Sequence, residues 1–318
     1  MSHDLQNCKL TSYYKNLLDS LPSGHSLCRT VLSLDDQTPS SDELRDPLGE
    51  DEHSVCPGLI YTYPDKVLLL ATLHCAVYCR YCTRGRLVDQ SSKPWKLSDE
   101  VFHTLEKLDR VRDVLISGGD PLTLPDAELE EILFKVRKIK HVRTVRIGSK
   151  VPAVMPERIT PKLAGILAKY RVWLQLHFVH PAELTRECAQ SLDTFAKSGV
   201  PMVAQTVLLR GVNDDTDTLL ELFYGLLENR VKPYYLFQCD PVLGSSSFRT
   251  PVQKGLDLMK ELQGRVSGLA LPNFCIDAPG GGGKIVLHPD TVLRRDGNDV
   301  VLTNYEEKKY RYPDMGGM

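Results

Sequence analysis

Short apolar runs alternate with segments of helical period from about residue 65 onward, and this alternation constrains the fold more than any other feature. Six runs predict strands: VLLLAT at 67–72, DVLIS at 113–117, VRTVRI at 142–147, VWLQLHF at 172–178, MVAQTVLL at 202–209 and KPYYLFQ at 232–238. Near-continuous apolar strands separated by amphipathic helices predict a parallel sheet covered by helices, in a barrel-like or doubly wound α/β fold. Ligands then bind at the carboxyl ends of the strands.

Two helix starts carry a polar residue followed by proline. Thr160-Pro161 precedes KLAGILAKY, and Thr250-Pro251 precedes VQKGLDLMKEL. We predict that each threonine caps its helix and that each proline takes the first helical position.

Charge and cysteine content exclude several classes of protein. The 39 Lys and Arg against 41 Asp and Glu give a net charge of −2, which offers no basic surface for nucleic acid or an anionic membrane. No run approaches the roughly 20 apolar residues of a membrane span, and MSHDLQNCKLTSYYKN has no signal-peptide core. Nine cysteines without a secretion signal favour reduced thiols with a metal or catalytic role. We expect a cytoplasmic protein with small-molecule chemistry.

Three cysteines follow the first predicted strand in the spacing Cys75-x3-Cys79-x2-Cys82. A structural zinc site normally takes four Cys or His ligands, and a ferredoxin-type cluster takes four cysteines. Three thiolates leave one iron of a four-iron cluster open, which suits a cluster that binds a substrate directly and passes it one electron. The alternative is a zinc site completed by Cys239 or His74.

Two glycine-containing stretches are candidate cofactor sites. SGGD, at 117–120, closes the second strand, where glycine lets the backbone approach a ligand; a plain turn is the alternative. DAPGGGGK ends on Lys284, but Ala278 and Ile285 stand where a phosphate-binding loop needs Gly and Ser or Thr. A lysine after flexible glycines could form a Schiff base with a cofactor aldehyde. The alternative interpretation is a solvated surface lysine without a functional role.

Three charged residues are candidates for substrate recognition. Asp240 closes YLFQCD, and Asp277 lies seven residues before Lys284. Two carboxylates suit a terminal ammonium, which gains charge-assisted hydrogen bonds between them. Arg84, two residues after the last cysteine of the triad, carries the planar fork that matches a carboxylate. Singly, each could equally be a turn cap or a surface ion pair.

The amino-acid sequence of residues 46–284 resembles that of the lysine 2,3-aminomutase family, which belongs to the radical S-adenosylmethionine (SAM) superfamily. The matching stretches, in consistent order, are DPLGEDEHSVCPGLIYTYPDKVLLL, CAVYCRYCTR, VRDVLISGGDPL, VLLRGVND, PYYLFQCD, FRTPV and DAPGGGGK. The resemblance implies a partial (β/α)6 TIM-like barrel of the radical SAM type. It also implies an N-terminal helical extension over 1–64 wrapping the barrel, the barrel with its pyridoxal phosphate site over 65–284, and a short C-terminal segment over 285–318.

The resemblance further implies a radical shift of the α-amino group of L-lysine to the β-carbon, giving β-lysine, by an isomerase that uses a 4Fe-4S cluster, SAM and pyridoxal phosphate. The implied cluster ligands are Cys75, Cys79 and Cys82. The implied SAM contacts are Gly118, Gly119, Asp120, His177 and Gln205. Lys284 would hold pyridoxal phosphate, Arg84 the substrate α-carboxylate, and Asp240 with Asp277 the ε-ammonium. Glutamate-specific relatives do not keep this acidic pair.

The sequence departs from the family pattern at two places. Known members carry a cysteine-rich tail that forms a zinc site with a cysteine in the segment matching GVNDD; here Asp215 stands at that position and no cysteine follows Cys275. We therefore expect no zinc site. Phe237 stands where the family has a tyrosine near the cofactor, so a hydroxyl is lost.

Three alternatives remain open at this point. The same shift could act on arginine or ornithine, or could supply β-lysine for modification of elongation factor P; an iron-sulfur or zinc binding module is the alternative from another class. As partners we expect an amino acid substrate and an electron donor such as flavodoxin or ferredoxin, with no nucleic acid and no membrane. A homo-oligomer stays open.

Overall fold

The computed structural model describes residues 9–32, 40–88, 95–290, 292–296 and 299–313, and its largest element is a mixed sheet of ten strands. These are β1 (Ser54–Cys56), β2 (Leu59–Tyr63), β3 (Lys66–Thr72), β4 (Asp113–Gly118), β5 (Thr144–Ser149), β6 (Val172–His177), β7 (Met202–Leu208), β8 (Val231–Gln238), β9 (Asn273–Ala278) and β10 (Gly283–Leu287). Strand order follows chain order. Strands β3 to β9 are parallel, whereas β1, β2 and β10 are antiparallel additions at the edges.

Helices lie between the successive parallel strands, and one further helix precedes the sheet. In the described residues they are α1 (Ser12–Ser20), α2 (Gly85–Val88), α3 (Glu100–Lys107), α4 (Asp126–Lys138), α5 (Val151–Val154), α6 (Pro161–Lys169), α7 (Arg186–Lys197), α8 (Thr216–Glu228) and α9 (Val252–Leu262). A separate three-stranded antiparallel sheet follows, with β11 (Val292–Asp296), β12 (Asp299–Thr303) and β13 (Lys309–Pro313). No helix among the described residues is long and apolar enough to cross a membrane.

The two faces of the parallel sheet have different roles. Alternate residues of the central strands are fully buried in the hydrophobic core: Val114 and Ile116 on β4, Val145 and Ile147 on β5, Leu174 and Leu176 on β6. Because successive side chains point to opposite faces, their neighbours Leu115, Arg146 and Gln175 lie on the other face, where they line a cavity. The core therefore lies on one face of the sheet, and the opposite face is available for ligands.

The predicted α/β fold on parallel strands is confirmed, with corrections in detail. The six predicted strands are β3 to β8, but the sequence interpretation missed β9, which adds a seventh parallel strand. Thr160 caps α6 as predicted, accepting the Leu163 amide N–H at 3.2 Å. The prediction that Thr250 caps α9 was wrong. This helix begins at Val252 without a side-chain cap, and the Thr250 carbonyl accepts the Gln238 side-chain amide at 2.6 Å. The division at residues 64 and 284 stays a prediction.

Candidate active site

A cavity of about 1100 Å³ lies against the inner face of the sheet and reaches the carboxyl ends of its strands. Its wall includes every residue singled out as a site candidate: Cys75, Cys79, Cys82, Arg84, Gly118, Gly119, Asp120, His177, Gln205, Asp240, Asp277 and Lys284. A pocket for one drug-sized ligand spans about 300–1,000 Å³. This cavity is therefore large enough for more than one small molecule.

The three thiols of the triad lie in the loop after β3. Burial raises the pKa of each: that of Cys79 to about 11, and those of Cys75 and Cys82 above their usual range. Iron binds the thiolate, so metal binding here must release protons. Within the described residues no three His, Cys, Asp or Glu side chains converge closely enough to hold a single metal ion. All three thiols line the same cavity.

The zinc alternative for the triad lacks a fourth ligand in this arrangement. Both ring nitrogens of His74 lie 3.1–3.2 Å from the Lys9 ammonium. Cys239 is 3% exposed, and its Sγ contacts the Asp240 carbonyl. In the part of the chain that the structure describes, neither joins the triad in a group that could hold a metal ion.

The two glycines of SGGD are required by the strand next to them. A Cβ on Gly118 would lie 2.1 Å from the Thr72 carbonyl oxygen, and one on Gly119 would lie 2.2 Å from that of His74. Gly118 also has a φ of +116°, which side chains rarely adopt. The amide of Gly119 donates to Thr72 at 2.6 Å, and that of Asp120 donates to His74 at 2.7 Å. These contacts fix the path of the chain immediately before Cys75.

Asp120 fastens β4 to β5. Its carboxylate accepts the Leu122 and Lys150 amides at 3.1 and 2.7 Å and the Ser149 hydroxyl at 3.1 Å. Burial nonetheless raises its pKa above the usual range. Since these oxygens already have protein donors, the contacts give Asp120 a scaffolding role, and its direct contact with SAM stays a prediction.

His177, the last residue of β6, pairs with Gln205 in the middle of β7. Burial, together with the nearby Lys150 and Arg84 cations, lowers the His177 pKa to about 4. The imidazole is therefore neutral at physiological pH. It offers the cavity a hydrogen-bonding group without adding charge.

Lys284 and Asp277 face each other directly across the β9–β10 pair. The Lys284 ammonium donates to both Asp277 oxygens, at 2.7 and 2.9 Å, and lies 4.7 Å from the centre of the Phe237 ring. The Tyr63 hydroxyl accepts the Lys284 backbone amide at 2.8 Å. The strand pairing thus directs the lysine into the cavity and brings a carboxylate to its amine.

Asp240 and Asp277 form a pair of neighbouring carboxylates. Burial raises the pKa of Asp240 to about 7, and the charge of Asp277 adds to this effect while that of Lys284 opposes it. Two negative groups in a partly desolvated wall are stabilised when a cation lies between them. The pair is therefore suited to a ligand that carries an ammonium group.

Arg84 has a carboxylate partner that the sequence interpretation missed. Its Nε lies 2.9 and 3.0 Å from the two Glu50 oxygens, its Nη2 lies 2.6 Å from Oε1, and its Nη1 donates to the Ser117 hydroxyl at 3.3 Å. The pKa of Arg84 is raised: burial alone would lower it, but the Glu50 carboxylate outweighs burial. Glu50 lies in an acidic stretch with several similar residues, so no sequence signal distinguishes it.

The structure shows the contacts of Asp215 and Phe237, the two residues at which the sequence departs from the family pattern. Asp215 caps α8, accepting the Thr218 amide N–H at 2.8 Å. Phe237 lies between Lys284 and Tyr235, with 5.2 Å between the centres of the two aromatic rings. A hydrophobic ring, not a hydroxyl, therefore faces the Lys284 amine.

Comparison with known proteins first defines the class. Residues 69–223, which include the cysteine triad and strands β4 to β7, match the family model described as the radical SAM superfamily. Residues 259–316 match the model described as lysine-2,3-aminomutase. The part of the chain that carries the cysteine triad therefore matches the radical SAM class of proteins.

Individual relatives then define the family. The chain is 45% identical over 304 residues to L-lysine 2,3-aminomutase of Clostridium subterminale, covering 93% of this chain and 72% of that one. It is 44% identical over 301 residues to the enzyme of that name from Fusobacterium nucleatum, covering 93% and 71%. Glutamate 2,3-aminomutase of Clostridioides difficile is 37% identical over 312 residues, covering 96% and 73%. The chain belongs to the lysine 2,3-aminomutase family of radical SAM proteins.

Family membership defines the cofactors, and the residues present are compatible with them. The radical SAM superfamily uses a 4Fe-4S cluster and SAM, and pyridoxal phosphate is expected for lysine aminomutases. Three soft thiol donors on one wall suit iron, and an amine directed into the cavity suits a cofactor aldehyde. The large cavity has room for these groups beside a substrate.

Proposed function

We propose that this protein catalyses the shift of the α-amino group of L-lysine to the β-carbon, giving β-lysine. The observation that carries the proposal is the set of charges that lines one cavity, which includes the Arg84 guanidinium and the Asp240–Asp277 pair beside Lys284. Lysine is complementary to this arrangement because it has a carboxylate at one end and an ammonium at the other. Glutamate would place its side-chain carboxylate beside the Asp240–Asp277 pair, and repulsion between like charges would disfavour its binding.

The residues would divide the work of holding the reactants. Cys75, Cys79 and Cys82 would hold the cluster, the SGGD segment with His177 and Gln205 would hold SAM, and Lys284 would hold pyridoxal phosphate. When bound, these groups supply one-electron activation of a carbon–hydrogen bond and a carbonyl carbon that carries the migrating nitrogen. The protein's own contribution is to orient the substrate through Arg84, Asp240 and Asp277 and to exclude water.

Lys284 has a second property that supports its proposed role. Its amine is exposed to the cavity, with 35% of the side chain accessible, yet it is bonded to Asp277. An amine must lose a proton before it can attack a carbonyl group, and the carboxylate beside it could accept that proton. Asp277 would thus serve the cofactor-binding lysine first and the substrate ammonium afterwards.

We also propose a cytoplasmic location and a one-electron donor of the flavodoxin or ferredoxin type. All eight cysteines in the described part of the chain are unpaired, which is typical of a reducing compartment. The cluster must be reduced before it can pass an electron to a bound molecule, so the protein needs a one-electron donor. A homo-oligomer is a separate proposal that light scattering on the purified protein tests.

The proposal is tested by anaerobic reconstitution with iron, sulfide and pyridoxal phosphate, followed by incubation with SAM, a reductant and L-lysine. Chromatography with mass spectrometry should detect β-lysine, and Cys79→Ala and Lys284→Ala should each abolish it. Parallel incubations with ornithine, arginine and glutamate test the alternative substrates. Cleavage of SAM with no change in lysine would refute the substrate assignment while leaving the radical chemistry in place.

A further inference from the structure

The segment before β1 brings a carboxylate, Glu50, into the wall of the cavity. Only 6% of its side chain is exposed. The segment is held against the glycine loop that leads to Lys284: the Gly280 amide donates to the Pro47 carbonyl at 2.9 Å, and a Cβ on Gly49 would lie 2.9 Å from the Gly280 carbonyl carbon. The position of Glu50 is therefore fixed by close backbone packing.

Glu50 engages one edge of the Arg84 guanidinium. Its oxygens accept from Nε and Nη2, which form one of the two edges through which arginine can bind a carboxylate bidentately. The other such edge is formed by Nη1 and Nη2. Of the five N–H groups, three have partners among the described residues, counting the Nη1 contact with Ser117, so one remains on each terminal nitrogen. Arg84 thus keeps a second fork for a second carboxylate.

An arginine in this cavity has competing partners. Asp277 lines the same cavity as Arg84. Without a fixed partner, the long Arg84 side chain would be drawn toward the acidic pair, and both would then be lost as substrate contacts. Glu50 gives the guanidinium a fixed partner through Nε and Nη2.

We infer that Glu50 is a positioning residue, which fixes Arg84 so that its Nη1–Nη2 edge receives the α-carboxylate of the substrate. This inference rests on the proposed function, because it presupposes an amino acid substrate. Glu50 itself does not touch the substrate in this arrangement. It acts on the carboxylate end of the substrate alone.

The test compares lysine with 1,5-diaminopentane, which keeps both amines but lacks the carboxylate. In the reconstituted holoenzyme, Glu50→Gln should raise the KM for lysine about tenfold or more, because misplacing a binding group has effects of this order, with a smaller change in kcat. The inhibition constant of 1,5-diaminopentane should stay within about twofold of the wild-type value, because this ligand makes no use of Arg84. A merely structural role for Glu50 would weaken both ligands together.

Two further variants make the test decisive. Glu50→Asp keeps the buried charge but withdraws it by one methylene, so it tests the same split between ligands where Glu50→Gln does not fold. Glu52→Gln is the matched control, because it makes the same chemical change on an exposed residue of the same segment; its constants should equal the wild-type values.

The outcomes separate the inference from the proposed function. An unchanged lysine KM in Glu50→Gln and Glu50→Asp, or a parallel loss of lysine and 1,5-diaminopentane, overturns the positioning role. A wild-type holoenzyme that cleaves SAM but does not convert lysine overturns the proposed function and this inference with it. A selective loss of lysine affinity supports both.

Discussion

The acidic pair gives the sharpest quantitative prediction. The pKa of Asp240 rises from the ordinary 3.8 to about 7 because of burial and the Asp277 charge. Since one pKa unit corresponds to 1.36 kcal/mol, this environment disfavours the ionised Asp240 by about 4 kcal/mol. A substrate ammonium bound between the carboxylates would relieve that penalty. The Asp240→Asn variant loses this interaction.

We expect Asp240→Asn to lower kcat/KM for lysine by about 30-fold to 1,000-fold, which corresponds to about 2–4 kcal/mol. Most of the loss should appear in KM. The assay is initial-rate formation of β-lysine by the reconstituted protein, with iron content and SAM cleavage measured on the same samples. Both of these should remain near wild-type values, because Asp240 contacts neither group in the proposed arrangement.

The matched control is Asp217→Asn, which makes the same chemical change on an exposed residue in the first turn of α8. It should leave kcat/KM unchanged. If Asp240→Asn also leaves kcat/KM for lysine within twofold of the wild type, the acidic pair does not bind the substrate ammonium, and the reasoning from its charge is refuted.

Three further predictions concern pH, stability and the lysine amine. Because protonated Asp240 cannot attract an ammonium, kcat/KM for lysine should fall as pH drops through about 7, and this dependence should vanish in Asp240→Asn. Gly119→Ala should lower the free energy of unfolding by about 1–3 kcal/mol in denaturant titrations, because the added Cβ would lie 2.2 Å from a backbone oxygen. The control Gly165→Ala on α6, whose Cβ would have no atom within 4 Å, should be neutral or stabilising. Equal stabilities of the two variants would contradict this reasoning. Pyridoxal phosphate added to the wild type should give a visible absorbance band that borohydride fixes to the chain; Lys284→Ala should lose both, and retention of the fixed label would exclude Lys284 as the attachment point.

The parallel strands were predictable because the face that packs on the core needs runs with apolar residues at alternate positions or more often. Strands β3 to β8 all carry such runs, whereas β9 reads NFCIDA, where polar residues at both ends interrupt the pattern. The Thr250 cap failed for a related reason: Thr-Pro is a local signal, and tertiary contacts decide which residue starts the helix. Here the Thr250 carbonyl accepts the Gln238 side-chain amide of β8, and the helix begins at Val252.

The site was predictable to the extent that its residues follow strands. The triad and Asp240 follow β3 and β8, and SGGD spans the end of β4; parallel strands bring their carboxyl ends to one edge of the sheet. Glu50 was not predictable, because it reaches the cavity through backbone packing between distant glycines. The Lys284–Asp277 contact depends on the register of β9 with β10, which the seven-residue spacing alone does not define.

The most direct test of the central proposal follows the nitrogen itself. L-Lysine labelled with 15N at the α-amino group is incubated anaerobically with the reconstituted protein, SAM and a reductant, and the product is analysed by NMR spectroscopy. The proposed function predicts β-lysine with the label on the β-carbon and none on the ε-nitrogen. Label that stays on the α-carbon while SAM is consumed would contradict it.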